Sequence, residues 1–284
     1  MIEIQNVSFG YSRRKMLYKN LTLTLEAGTI YGLLGKNGAG KSTLLKNLIG
    51  LLFPEKGKIN VNTFEPKRRQ PSFLQTIYFI PEEVYVPSLT INGYRNLFAP
   101  FYPCFENEKF NLYLKELDVK DEGKLNTLSF GQQKKFVIAF ALACNTKVLL
   151  LDEPTNGLDI PSKIQFRKLI ASVMNEGRTI VISTHQVRDL ENLIDRIIIV
   201  DNGFLLLNAS LGDISEKLCF KTVAEVDDSV RVLHSEDTLK GISVVQENPR
   251  GEESKVNLEQ LFNAVTENPE VIKAIFINTE TLIK

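Results

Sequence analysis

Gly35-Lys36-Asn37-Gly38-Ala39-Gly40-Lys41-Ser42-Thr43 decides how this chain is read. The stretch fits G-x-x-x-x-G-K-[S/T] at every fixed position. Its flanks supply the context that such a loop needs. Thr29-Ile30-Tyr31-Gly32-Leu33-Leu34 reads as a short buried strand, and Leu44-Leu45-Lys46-Asn47-Leu48-Ile49 carries leucines at helical spacing. Gly35, Gly38 and Gly40 let the backbone N–H groups around Asn37 and Ala39 turn inward on a polyphosphate. The following helix, from Lys41 through Thr43, presents unpaired N–H groups and a positive dipole end to the same anion. Lys41 reaches the terminal phosphates, and the Ser42 hydroxyl is a magnesium ligand. A glycine-rich turn with a solvent lysine is the bland alternative. The expected ligands are a nucleoside triphosphate and Mg2+.

Downstream, Val148-Leu149-Leu150-Leu151 is an uninterrupted apolar run closing on Asp152-Glu153-Pro154. Such a run reads as a central parallel strand, with both acids at its exposed end. Asp152 is expected to hold the hydrated magnesium, and Glu153 to take the proton of the attacking water. Thr179–Thr184 is the next strand and ends on His185, expected to meet the terminal phosphate. Thr76–Ile80 is another apolar strand followed by Pro81-Glu82-Glu83. Open parallel sheets bind ligands at such strand ends, so Glu82 is a candidate near the nucleotide; the alternative is a solvated loop acid.

Upstream, Ile2–Phe9 and Leu21–Leu25 alternate apolar and polar residues, and Lys58–Asn62 repeats the pattern. They predict a small antiparallel β-subdomain beside the loop. Tyr11, in a Gly-Tyr-Ser turn before Arg13, is either an adenine-stacking ring or an ordinary surface tyrosine. From about Leu89 to Leu128 the β pattern fades, and a helical insertion is expected, its subdomain spanning about residues 85–140. Thr90 caps a helix through Ile91 and Phe98, and Phe110 to Leu117 marks a second. The aromatic break Phe98–Phe105 is either core of this insertion or a docking patch. Leu128-Ser129-Phe130-Gly131-Gln132 then opens a long helix; Ser129 there is a good cap and a weak anion site. Thr155-Asn156-Gly157-Leu158-Asp159 turns into a helix near Pro161, and another helix is expected over Val187 to Ile194. Beyond about residue 209 the texture becomes α+β: a helix over Leu211–Leu218, strands at Thr222–Val226 and around Val230 and Val244, and a helix capped by Asn257. His234 there reads as a surface residue.

Composition bounds these expectations. The chain has 284 residues, 43% hydrophobic and 24% charged, with Lys+Arg and Asp+Glu both 34. The zero balance argues against a nucleic-acid partner. Cys104, Cys144 and Cys219 lack metal-ligand spacing and fit a reducing cytoplasm. No apolar run is long enough to cross a bilayer and no signal-peptide pattern opens the chain. A soluble protein that docks on a membrane partner is expected.

The ordered set GKNGAGKST, LSFGQQ, LLLDEP, NGLD and STH resembles the nucleotide-binding subunit of an ATP-binding cassette (ABC) transporter over roughly residues 1 to 208. LSFGQ just upstream of the acidic strand is the specific part. The resemblance implies an α/β fold: a phosphate-loop NTPase (RecA-like) core with an antiparallel β-subdomain and a helical subdomain, followed by a C-terminal accessory domain over 209–284. It implies that Tyr11 stacks on adenine, Glu153 is the catalytic base and His185 senses the γ-phosphate. Ser129, Phe130, Gly131 and Gln132 would grip the nucleotide of a second copy (or a homologous subunit), with Asp159 at that dimer interface. ATP and Mg2+ are the implied ligands, with Ser42, Asp152 and Glu82 around the metal. The partner would be an integral membrane permease, exporter favoured, leaving the subunit cytoplasmic at the inner face of the membrane. Two positions depart from the family pattern: Phe130 replaces a glycine, and Glu82 replaces a glutamine. Ribosome- or DNA-directed ABC ATPases and small-molecule kinases are the rival classes; the single cassette disfavours the first and LSFGQ the second.

Overall fold

The computed structural model describes residues 1–12, 15–120, 123–190, 192–227 and 229–277. The chain opens with β1 (Ile2–Ser12), β2 (Lys15–Leu25), β3 (Thr29–Leu34) and, across the glycine loop, α1 (Lys41–Leu48). β4 (Lys56–Val61), the short α2 (Pro71–Leu74) and β5 (Ile77–Ile80) follow. A helical stretch comprises α3 (Ile91–Phe98), α4 (Asn107–Glu116) and α5 (Phe130–Ala143). Next come β6 (Val148–Asp152), α6 (Ile160–Val173), β7 (Thr179–Thr184), β8 (Arg196–Asp201) and β9 (Phe204–Ser210). The C-terminal part carries α7 (Leu211–Lys217), β10 (Leu218–Val223), β11 (Val232–Thr238), β12 (Gly241–Glu247), α8 (Leu258–Glu267) and α9 (Pro269–Ile277).

A six-stranded sheet in the order β5-β6-β7-β3-β8-β9 forms the centre. β5 through β8 are parallel, and β9 returns antiparallel through the Asn202-Gly203 turn. β7 lies between the strand that feeds the glycine loop and the strand that ends in acids. Their C-terminal ends therefore sit side by side, where open α/β sheets bind ligands. The uninterrupted apolar run of β6 follows from burial on both faces. Val148 and Leu150 join a core with β1, β4 and α1, whereas Leu149 and Leu151 face the core built by α5 and α6.

β1 pairs with β2 and β4 in an antiparallel three-stranded sheet over the first of these cores. Tyr11 lies within β1 and not in a turn; β1 runs on to Ser12, which pairs with Lys15 of β2. In the helical stretch, Thr90 caps α3 by accepting from the Gly93 N–H at 3.0 Å. Phe140 of α5 is the hub of the aromatics, with ring centroids 5.0 Å from Tyr94, 5.2 Å from Phe105 and 5.8 Å from Phe110. Phe98, Tyr102 and Phe105, partly buried, pack against this core, and among the aromatics of the break Phe101 alone is exposed, at 63%. Most of its aromatic rings therefore serve the core.

The helix expected over Val187 to Ile194 shrinks to a 3-10 turn, Val187–Leu190. Asn192 adopts a left-handed φ of 60°, and Asp195 is pulled to β3, donating its N–H to the Ile30 carbonyl at 2.9 Å. Residue 191 of that expected helix lies outside the described residues. At the C-terminus, β10, β12 and β11 form an antiparallel sheet. β10 starts at Leu218 and ends at Val223, earlier than expected, because it pairs in register with β12 from Leu218↔Glu247 to Val223↔Ile242. Leu258, Leu261, Val265 and Ile272 of α8 and α9 join the same apolar core as α5 and α6. Among the described residues no helix is long and apolar enough to cross a membrane.

Candidate functional site

The glycine loop owes its shape to positions where a side chain has no room. Gly40 has φ 100°, a left-handed value, and caps α1. The Tyr18 hydroxyl donates to its carbonyl, and a Cβ on Gly40 would strike the Tyr18 ring. At Gly35 a Cβ would lie 2.5 Å from the Val200 carbonyl oxygen. Lys41, buried, donates from Nζ to the Gly35 carbonyl at 2.7 Å, so its ammonium spans the loop it belongs to. Burial lowers its pKa, while Glu153, Asp152 and Glu82 oppose the shift.

A cleft of about 730 Å³ opens over this loop. Tyr11, Asn37, Gly38, Gly40, Lys41, Ser42, Thr43, Glu82, Glu153 and His185 all line it. Gly35 and Ala39 form the loop behind that wall. Tyr11 is 69% exposed, its hydroxyl 2.8 Å from Thr43 Oγ1, which leaves a ring face free at the rim. Glu83 does not line the cleft, whereas Glu82 does and accepts from Asn156 Nδ2 at 3.1 Å.

The acidic strand end is not exposed as the sequence suggested: Asp152 and Glu153 are both buried. The end of β7 and the first turn of α5 close over them. Asp152 accepts from the Ser183 hydroxyl. Glu153 sits at a left-handed φ of 44°, which aims its side chain across to β7. One carboxylate oxygen accepts from Thr184 Oγ1 at 3.0 Å; the other accepts from the His185 N–H at 2.9 Å and meets His185 Nδ1 at 2.8 Å. Because a carboxylate only accepts, that ring nitrogen carries the proton. His185 thus faces Glu153 as well as the cleft.

The second glycine-containing turn lies elsewhere. Ser129 caps α5, accepting from the Gln132 N–H at 3.3 Å, and Phe130 is 47% exposed. The Gln132 side chain is tied to the Asp118 carbonyl and the Lys120 N–H. Asp159 caps α6 by accepting from the Ser162 N–H at 2.9 Å; the Ser162 side chain first, and then this N–H, hold its carboxyl below the usual range. Neither Ser129 through Gln132 nor Asp159 lines the cleft. The cleft gathers the loop, Glu153, Tyr11, Glu82 and His185; Asp152 is buried beside Glu153 without lining it, and Ser129 to Gln132 and Asp159 stand apart.

A family model described as ABC transporter matches residues 18–156, from β2 to just past the acids. The chain is also 35% identical over 212 residues to the lantibiotic transport ATP-binding protein SrtF of Streptococcus pyogenes, covering 73% of this chain and 90% of that protein. The chain belongs to the ABC transporter ATP-binding family. The Nod factor export ATP-binding protein I of Burkholderia lata is 32% identical over 208 residues, 71% of this chain and 68% of that protein. Among solved structures, a dimeric post-hydrolysis ATP-binding cassette bound to ADP and Pi superposes with a TM-score of 0.64 at 26% identity, over 74% of this chain and 99% of that one. As a member of this family the chain is an ABC transporter subunit that binds and hydrolyses ATP.

Sequence reasoning passed over several partners in the cassette's site. Lys134 is fully buried, its Nζ 2.7 Å from the Glu153 carbonyl and 3.1 Å from that of Glu82. A signal existed: helical spacing puts it on one face with Val137, Ile138 and Ala141, among apolar residues. Ser183 and Thr184 were read only as strand. Tyr18, buried under Gly40, carried no signal.

Proposed function

We propose that two copies of this subunit close around two Mg-ATP and drive a separate membrane permease, in the export direction. The observation that carries this reading is the placement of Ser129 to Gln132, outside the cleft that holds Lys41 and Glu153. An N-capped helix start with free N–H groups is an anion grip, and a second copy is what brings a triphosphate to it.

In this scheme Tyr11 stacks on the adenine and the backbone of Gly35 to Gly40 cradles the β-phosphate. Thr43 closes the loop beside Tyr11, and Lys41 holds the γ-phosphate. The oxygen donors Ser42, Asp152 and Glu82 suit magnesium, which would neutralise phosphate charge there. Glu153 takes the proton of a water whose oxygen bonds to the γ-phosphorus as the bond to the β–γ bridging oxygen breaks. His185, hydrogen-bonded to Glu153, orients that carboxylate and meets the γ-phosphate with its outer edge. Ser129 and Gly131 of the second copy contact the same phosphate, Phe130 and Gln132 shape their turn, and Asp159 lies at the seam. Phosphate release removes the charge that joins the halves. The subunit then sits at the cytoplasmic face of the membrane through its permease, with no nucleic-acid partner. A relative named for Nod factor export supports the direction.

Glu153→Gln tests the scheme. Losing a general base lowers the rate about 10²–10⁴-fold. The variant is expected to stop releasing phosphate and to run as an ATP-dependent dimer by light scattering. A monomer at saturating Mg-ATP refutes the sandwich. Purification from solubilised membranes is expected to bring down a polytopic protein; ribosomes instead would refute the permease.

A further inference from the structure

Lysine is among the side chains least often fully buried, yet Lys134 is 0% exposed. No carboxylate is within ion-pair distance of it among the described ion pairs. Its Nζ is held by two main-chain carbonyls, Glu153 at 2.7 Å and Glu82 at 3.1 Å. The Phe130 ring roofs the ammonium, 5.6 Å from centroid to Nζ. Phe130 in turn lies against Gly157, where a Cβ would be 2.8 Å from the ring. The side chains of Glu82 and Glu153 line the cleft, while Phe130 belongs to the turn outside it. Filling this space would require only a leucine or methionine; an ammonium is costly to desolvate and is useful only for what it binds.

What it binds is specific. Glu153 holds a left-handed φ of 44° that an ordinary residue disfavours, so the orientation of its peptide depends on external partners. Lys134 supplies one, from the helix whose first turn is the Ser129 grip. We propose that Lys134 is a positioning residue that links the turn gripping one nucleotide to the carboxylate that hydrolyses the other. This inference rests on the two-copy reading above. When Ser129 and Gly131 of one copy seat against the second copy's phosphate, α5 settles, and Lys134 fixes the Glu153 and Glu82 backbone of its own copy. Phe130, the departure from glycine, keeps water from the ammonium.

The test compares wild type, Lys134→Met and Lys134→Gln. Methionine keeps the volume and removes the donors; glutamine keeps an uncharged donor. Lys134→Met is expected to lower kcat by about 10–100-fold, the scale of a small misplacement of a reacting group, with KM changed less than about threefold. Lys134→Gln, which keeps a donor, should restore most of kcat; a kcat of Lys134→Gln no higher than that of Lys134→Met overturns the assignment. A kcat of Lys134→Met within about twofold of wild type also overturns it, as does a parallel rise in KM. Should Lys134→Met not fold, Lys134→Leu, which also removes the donors, takes its place with the same expected and refuting outcomes. Light scattering of Glu153→Gln with and without Lys134→Met separates the two readings. A dimer in both, with slow turnover of Lys134→Met, supports the link; no dimer in Glu153→Gln alone removes the two-copy reading and the link with it; loss of the dimer only in the double variant makes Lys134 a structural element of the interface and refutes the positioning role.

Discussion

Phe140→Ala tests whether the aromatic stretch of the helical subdomain is core. Phe140 is 1% exposed, and its ring meets Tyr94 and Phe110 edge-on at 5.0 and 5.8 Å, and Phe105 and Tyr78 at 5.2 and 6.1 Å. Truncating a buried phenylalanine costs about 3–5 kcal/mol in transfer and cavity terms. The edge-on partners, each worth about 0.5–1.5 kcal/mol, place this site at the upper end, about 4–5 kcal/mol. At about 2–4 °C per kcal/mol for a chain above 150 residues, the melting temperature should fall by roughly 8–20 °C. Phe101→Ala, at an exposed position, should stay within about 0.5 kcal/mol. Urea titrations of both variants with fluorescence and circular dichroism read these differences. Because Tyr78 lies on β5, which leads into the Glu82 loop, Phe140→Ala should also slow ATP turnover before the chain unfolds. A loss below about 2 kcal/mol for Phe140→Ala, or an equal loss for Phe101→Ala, would refute the core reading.

Lys41→Ala removes a charged donor from the phosphate loop, a contact worth about 1.5–3 kcal/mol, so ATP affinity should fall by about 10–150-fold in a fluorescent-nucleotide titration. Tyr11→Phe should leave that affinity within about twofold, whereas Tyr11→Ala should lose about 1–3 kcal/mol of stacking. Equal behaviour of the two Tyr11 variants would remove the ring from the adenine site.

Much of the site was legible because its determinants are local. A strand, a glycine turn and a capped helix announce themselves at fixed spacing, and Gly40 and Lys41 stand where that spacing puts them. The apolar run before Asp152 could be placed on a buried strand because both faces of β6 are covered. Burial of the acids themselves was not legible, since it depends on β7 and α5, remote in sequence. Lys134 had a local sign in its place on the apolar face of α5, but the backbone carbonyls that bind it, those of Glu82 and Glu153, are remote in sequence. The short helix after His185 failed on a tertiary pull, Asp195 being drawn to Ile30. Helix α9 had a local sign, Pro269 at its first position, that went unused. The C-terminal strands slipped because weak β patterns fix register only through pairing.

The carboxylate of Glu153 is already committed in the solitary chain: Thr184 occupies one oxygen, and His185 engages the other twice. Of the roughly four acceptor positions of a carboxylate one stays open, on the oxygen that Thr184 holds, so a further donor can be received with none of these ties loosened. Thr184 and His185 thus aim the group without saturating it.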